Sequence, residues 1–352
     1  METQDHSHGL GHLASRCSSR VQRSLISPTN YCQPLIMSVR RIEIGTELVT
    51  ATFIRPSPNH WKPGDFDLSK VSLDESLLHI TKTICLLESR CDDYAEYLQA
   101  LLRDRSYAWT SAISRWNFEE CQHGVTLRVV CEAGDHDFDF DSCMSKYKSL
   151  VTYHAPTGES VRGSVAAEMV SRCVVEALAS TLYRVLADST LDRNASAVYS
   201  ALGQDEARHY GMFLKMLNAE AIMNNGIGIL ARCRFALQRV FELEDAQIML
   251  ASCVVAGRAN NTIFGRREAN WYLSRVYRFY RWKHLRYAVR MLLLTVDVRA
   301  TPFRISIVTM VMWSAIKIRL LIANLASFVA PLREPKKPTT KVVNRSGEVG
   351  RI

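Results

Sequence analysis

Glu120-Cys-Gln-His123 and Glu206-Ala-Arg-His209 repeat one spacing, Glu-x-x-His, at two distant points of the chain. On an α-helix, residues i and i+3 share a face about one turn apart. Each pair can therefore aim a carboxylate and an imidazole at one point. Two further glutamates, Glu88 and Glu176, stand singly in apolar helical patterns. One Glu from each of two helices, with Glu-x-x-His from each of two others, is the inventory by which a four-helix bundle holds two metal ions. The carboxylates can bridge two cations and offset their charge, and each imidazole takes a terminal position. An oxygen-rich set with one nitrogen per metal suits iron or manganese, with positions left for dioxygen.

The flanking residues predict the helices. Leu86, Leu87, Tyr94, Leu98, Leu101 and Leu102 place a helical apolar pattern around Glu88. Trp109, Ala112, Ile113 and Trp116 lead into Glu120. The stretch 165–187 has neither Gly nor Pro and carries Val174, Val175, Leu178, Leu182 and Leu186 around Glu176. Residues 197–217 carry Glu206 and His209, with Gly203 and Gly211 as weak breakers. The long interval between His123 and Glu176 leaves room for an extra element and a crossover, as in ferritin-like bundles.

Several motifs resemble the soluble acyl-ACP desaturases. Trp116-Asn-Phe-Glu-Glu-Cys-Gln-His-Gly124 is similar to that family's Trp-x-x-Glu-Glu-Asn-Arg-His-Gly. Asp205-Glu-Ala-Arg-His-Tyr210 is similar to Asp-Glu-Lys-Arg-His-Glu. Trp61-Lys-Pro-Gly-Asp-Phe66 resembles the Trp-x-Pro-x-Asp-Phe segment upstream, and Glu88 precedes Tyr94 by the family's interval. The resemblance runs from about Trp61 to Leu217, in the family's order. It implies a ferritin-like, mostly dimeric di-iron enzyme that uses reduced ferredoxin and dioxygen to insert a double bond into an acyl chain held on acyl carrier protein. Position by position it implies Glu88 and Glu176 as single-helix ligands, Glu120 and Glu206 as bridges, and His123 and His209 as terminal ligands. Asp205 and Trp61 match the residues that connect an iron-bound histidine, here His123, to the surface for electron entry. A ligating His normally gives its other N–H to a carboxylate. The chain departs from the family at Ala179, where a Thr is usual, with Ser180 beside it, and at Gln122 and Tyr210. With ligands intact and their surroundings changed, hydroxylation stands beside desaturation as an outcome.

Composition bounds the rest. The 352 residues can bury one large core with extensions. Ten cysteines are scattered without a Cys-x-x-Cys pair, which fits reduced thiols in a reducing compartment, the cytoplasm. No Walker motif or dinucleotide glycine fingerprint is present, so electrons are expected from a separate protein. The alternating Asp135, Asp137, Asp139 and Asp141 lack the Gly and Glu of a calcium loop, with Phe140 and Lys146 in their places, and read as an acidic turn.

Charge is divided unevenly. Residues 226–352 hold 22 Lys and Arg against 7 acidic residues, a net of +15, and the remainder carries −6. This asymmetry points to an acidic partner or surface. Acyl carrier protein is one such partner. Anionic lipid is another, because 275–290 interleaves aromatics with cations as interfacial helices do. The apolar stretch 303–330 is broken by Arg304, Lys317 and Arg319 into uncharged runs shorter than the roughly 20 residues that span a bilayer. It reads as buried or interfacial. No nucleic-acid motif accompanies the basic residues, so no nucleic acid is expected.

The resulting expectation is an all-α protein with a ferritin-like four-helix core and additional C-terminal helices. Its parts are a flexible segment 1–48 containing His6, His8 and His12, a di-iron bundle 49–225, a basic helical region 226–330 and a flexible basic tail 331–352. It is expected to bind two irons and to act as an oxidase on a carrier-bound acyl chain, with a ferredoxin-type donor, as a homodimer peripheral to a membrane. A ferritin-like iron-binding protein without organic substrate, or a membrane-associated accessory subunit, are the alternatives.

Overall fold

The computed structural model describes residues 61–151, 157–224, 226–242, 246–257 and 266–329, all within one compact unit, Gly45–Ile352. The expected tails, 1–48 and 331–352, lie outside the described residues. The fold is all-α. Among the described residues the helices are α1 (Glu75–Glu88), α2 (Cys91–Leu101), α3 (Tyr107–Gly134), α4 (Phe140–Leu150), α5 (Val165–Ala187), α6 (Arg193–Met223), α7 (Ile229–Glu242), α8 (Ala246–Val255), α9 (Arg266–Tyr277), α10 (Trp282–Thr295) and α11 (Pro302–Val329).

Short polar side chains start several of them. Asp74 accepts from the backbone N–H groups of Ser76 and Leu77 at the head of α1. Ser164 caps α5 through Ala167 N, and Asp192 caps α6 through Ala195 N. Each cap satisfies a donor that the helix cannot pair internally. Asp192 also accepts from Ser72 N at 2.8 Å, which fixes the approach to α1 against the start of α6. In the acidic turn, Asp139 caps α4 and Asp135 pairs with Lys82.

The apolar pattern around Glu88 is not one helix. It breaks at Ser89 and Arg90, directly after Glu88. Ser89 turns its hydroxyl back onto Cys85 O at 2.7 Å. Gly124 of α3 lies against this break: a Cβ there would stand 3.0–3.2 Å from Ser89 Oγ, Cα and N. Only glycine lets α3 approach so closely.

Two apolar clusters are stacked along the helices. One gathers Leu77, Ile80 and Ile84 of α1 with Leu127 and Val130 of α3, Leu186 of α5 and Val198 and Leu202 of α6. The other gathers Leu98 of α2 with Trp109, Ile113 and Trp116 of α3, Val170 and Val174 of α5 and Phe213 and Met216 of α6. On α3, α5 and α6 the expected ligands fall between the two sets, and Glu88 lies between Ile84 of α1 and Leu98 of α2. Dry layers above and below fix a polar layer between them, and each fully buried large apolar side chain contributes about 1.5–3 kcal/mol.

The C-terminal helices pack directly on this core. α10 lies on α5 and α6, where Tyr210 donates to Met291 O at 2.8 Å and His284 meets Asp188 at 2.8 Å. α7 is held near α5 by Arg162 and Glu242, 2.6 Å apart. α8 covers α1 and α2 through His79 and Ser252 (2.8 Å) and Tyr94 and Gln247 (2.6 Å).

Of the two expectations for 303–330, buried or interfacial, α11 contradicts the buried one. The stretch Pro302–Ile322 is long and apolar enough to cross a membrane, yet only 11% of it is buried within the protein. Ile305 and Thr309 face inward. Phe303, Ile307, Met310, Val311, Ile318 and Leu321 form an exposed stripe on the opposite side.

Candidate metal centre

The six expected ligands come together in the polar layer. Glu88 arrives at the last residue of α1, Glu120 and His123 from the middle of α3, Glu176 from α5, and Glu206 and His209 from the middle of α6. Their ligating atoms form two groups, Glu88–Glu120–His123–Glu206 and Glu120–Glu176–Glu206–His209, each with all atoms within 4.8 Å of one another. Glu120 and Glu206 belong to both. Either group can hold a metal ion. All six are buried except Glu88, which is half-buried.

The imidazoles are oriented for the task. His123 Nδ1 stands 3.3 Å from Glu120 and 3.2 Å from Glu206, and His209 Nδ1 stands 2.9 Å from Glu120. Neither Nδ1, nor Glu206 Oε1, has a hydrogen bond of acceptable geometry, although all three are shut off from solvent. Buried polar atoms left in this condition are costly. Nitrogen and oxygen donors converging on one space fit a cation, which would take the place of the imidazole protons. The opposite ring nitrogens are engaged: His123 Nε2 meets Asp205 at 3.4 Å and His209 Nε2 meets Glu119 at 2.9 Å. A carboxylate behind each imidazole fixes the ring and its tautomer.

Asp205 and Trp61, expected beside His123, are there. Trp61 donates its indole N–H to Asp205 at 2.9 Å, and its ring stacks parallel to His123 at 6.0 Å between centroids. Sequence reasoning missed Glu119. It precedes Glu120 as Asp205 precedes Glu206, and that repeated acidic neighbour was the available signal. It also missed Arg208, which bonds both Glu119 and Asp205, and Tyr183, whose hydroxyl donates to Glu88 at 2.7 Å. Tyr183 lies two helical turns beyond Glu176, on the same face of α5.

The departures from the resembling family have local partners. Gln122 donates to Trp61 O, and Tyr210 secures α10. Ser180 donates to Gly203 O at 2.6 Å, so its hydroxyl ties α5 to α6. Ala179 is half-buried and offers no hydroxyl.

Charge is unevenly held in the polar layer. Burial pushes Glu88 and Glu176 well above the ordinary carboxylate range, and neighbouring carboxylates push the same way. Burial also works to raise Glu120, but His123 and His209 outweigh it and hold Glu120 well below that range. Both imidazoles are raised well above their ordinary value, because Glu120 overcomes the burial that would lower them. Asp205 is held down at about 2 by His123 and Arg208, against its burial.

Two surface hollows lie away from this layer. One, of about 300 Å³, is lined by Glu75, His79, Lys82, Asp135 and Trp271 among others. The other, of about 250 Å³, is lined by Leu294, Asp297, Val298 and Arg299. None of the six ligands lines either.

No protein-family model matches the chain, and no curated protein matches it at a significant level.

Proposed function

We propose that the chain is a di-iron oxidase that uses dioxygen to desaturate or hydroxylate an acyl chain carried on acyl carrier protein. The observation that carries this reading is the pair of donor groups sharing Glu120 and Glu206, with both Nδ1 atoms turned inward and both Nε2 atoms turned to outer carboxylates. Bound iron supplies dioxygen activation, and manganese suits the same donors. α1, α3, α5 and α6 form the ferritin-like four-helix bundle of this reading. Glu120 and Glu206, common to both groups, would serve both ions, Glu88 and Glu176 would serve one each, and Tyr183 orients Glu88 by its hydrogen bond. Trp61 and Asp205 lead from the partly exposed indole to the buried His123, a route for electrons from a ferredoxin-type donor.

The basic C-terminal region supplies the acidic carrier with a surface of opposite charge. Exposed Tyr107, Phe118, Val125 and Val129 share one face of α3 and suit pairing with a second copy. The stripe of α11 takes an anionic lipid surface. Its exposed apolar residues are flanked by Arg304 and Lys317, and a second copy would bring like charge against like. Free thiols, most of them buried, suit the cytoplasmic side of that membrane.

A second reading keeps the metal centre and drops the organic substrate, leaving an iron-oxidising ferritin-like protein.

The test is iron content with the optical spectrum of anaerobically reconstituted protein, before and after dioxygen, beside Glu120→Ala and His209→Ala. About two irons per chain are expected, with an oxygen-dependent absorption that both variants lose. Less than one iron per chain, or variants matching wild type, would sink the reading. Oxidation of acyl carrier substrates by the loaded protein separates the enzyme from the iron-oxidising alternative.

A further inference from the structure

Outside the carboxylate cluster, a second group of reactive side chains bridges α2 and α3. Cys91 is the first residue of α2, and Cys121 lies on α3 beside Glu120. Their sulfurs are 2.9 Å apart. Two thiolates on one tetrahedral zinc would stand about 3.8 Å apart at normal zinc–sulfur lengths. A disulfide bond is about 2.05 Å. The pair is therefore already closer than a shared zinc requires and about 0.9 Å from bonding distance. Asp92, the third side chain of the group, is engaged by Asn117 at 2.8 Å and stands 3.7 Å from Cys121 Sγ. Cys121 is half-buried and within reach of a small solute, whereas Cys91 is buried behind it.

We propose that Cys91 and Cys121 form a reversible disulfide at the expense of a peroxide, making this pair a redox modification site beside the metal centre. Cys121 is the sulfur oxidised first. Its thiol displaces water from hydrogen peroxide, giving a sulfenic acid: the sulfur loses two electrons and the O–O bond breaks. Cys91 then attacks that sulfur, the S–O bond breaks, and the hydroxyl leaves with the Cys91 proton as a second water. A cellular dithiol reverses the step by exchange. The second step is fast because the partner sulfur is already in contact.

The bond would join the head of α2 to α3. Glu88 lies three residues before Cys91, and Glu120 adjoins Cys121, so the clamp holds two of the cluster's carboxylates in register. The loop it closes, 91–121, predicts an unfolding midpoint higher by about 5 °C in the oxidised chain. None of this chemistry needs a metal, so it stands apart from the di-iron reading.

The experiment treats full-length protein, metal-free and metal-loaded, with hydrogen peroxide, blocks remaining thiols with iodoacetamide and maps the peptides by mass spectrometry. The expected product is one cross-linked pair containing residues 91 and 121, about 2 Da lighter than the two thiols. It should be reversed by dithiothreitol and should form in the metal-free protein. Cys91→Ser should leave Cys121 as a sulfenic acid that dimedone traps. Cys85 and Cys131, fully buried, should stay reduced. Full alkylation of both thiols after peroxide, Cys121 oxidised to a sulfinic acid with Cys91 still a thiol, or zinc retained on the pair would each overturn the proposal. Circular dichroism of Cys91→Ser and Cys121→Ser checks that the fold is retained.

Discussion

Asp205 and Glu119 have the same role on opposite helices. Each directly precedes a cluster glutamate, and each bonds the far nitrogen of the histidine on the other helix. Removing either charge while keeping its shape tests whether the two roles are equal. Asp205→Asn and Glu119→Gln should each weaken metal binding by about 10–100-fold, read by competition with a chelator of known affinity. A loss confined to Asp205→Asn would show that Glu119 serves only its arginines, Arg115 and Arg208. The residue scale also sets a pH dependence for the metal-free protein. His123 and His209 are raised above 6.5 in the folded chain. Their stabilising contribution is complete below that unfolded value and is lost as pH rises toward the folded one. Glu88 and Glu176, also raised, lose theirs from 4.5 upward, in the same direction. Glu120 and Glu206 are lowered, so their contribution is lost only as pH falls below that range. The unfolding midpoint of metal-free protein should therefore fall from pH 6.5 to 9. Loaded protein should resist the fall, because metal takes the deprotonated ligands. A metal-free midpoint that climbs over this range would contradict the arrangement.

At the scale of the element, helix contacts decide what substitutions do. Gly124 and Gly211 both lie inside long helices, and propensity alone favours alanine at each by about 1 kcal/mol. Gly211 has nothing within 4 Å of the Cβ position, so Gly211→Ala should stabilise. Gly124→Ala meets backbone atoms of Ser89 that cannot swing aside, and should cost about 1–3 kcal/mol. Chemical denaturation of the two variants gives the opposite signs directly. The comparison also marks what the sequence could reveal. Glu-x-x-His spacing is local, and two copies of it with two solitary glutamates were legible because helix geometry alone dictates where they point. The break after Glu88 was not, since the helical pattern resumes at Tyr94 and Leu98 with no Pro or Gly between. Glu119 escaped because its partners, His209 and Arg208, arrive from a distant helix, and its only local mark is the acidic neighbour it shares with Asp205.

For the whole molecule, the basic C-terminal third has two faces. α7, α8 and α10 spend theirs on α1, α2, α5 and α6, through contacts such as Tyr210 with Met291 that no local pattern announces. α11 leaves its apolar stripe outside, and its stretch of 21 residues is about 31 Å long, close to the hydrocarbon thickness of a bilayer. Wild-type protein should float with vesicles rich in anionic phospholipid and remain behind with neutral ones. A chain ending at Ala300 should lose flotation while keeping its metal content. Flotation unaffected by that truncation would move the lipid contact elsewhere.

Arg208 adds a consequence of its own. A single guanidinium grips Glu119 and Asp205 together, and those carboxylates steer the two histidines. Whatever straightens one ring tightens the fork and readies the other. The first cation to arrive thus prepares the seat of the second, and occupancy should climb with a Hill coefficient above one, a steepness that Arg208→Gln should flatten toward independent filling.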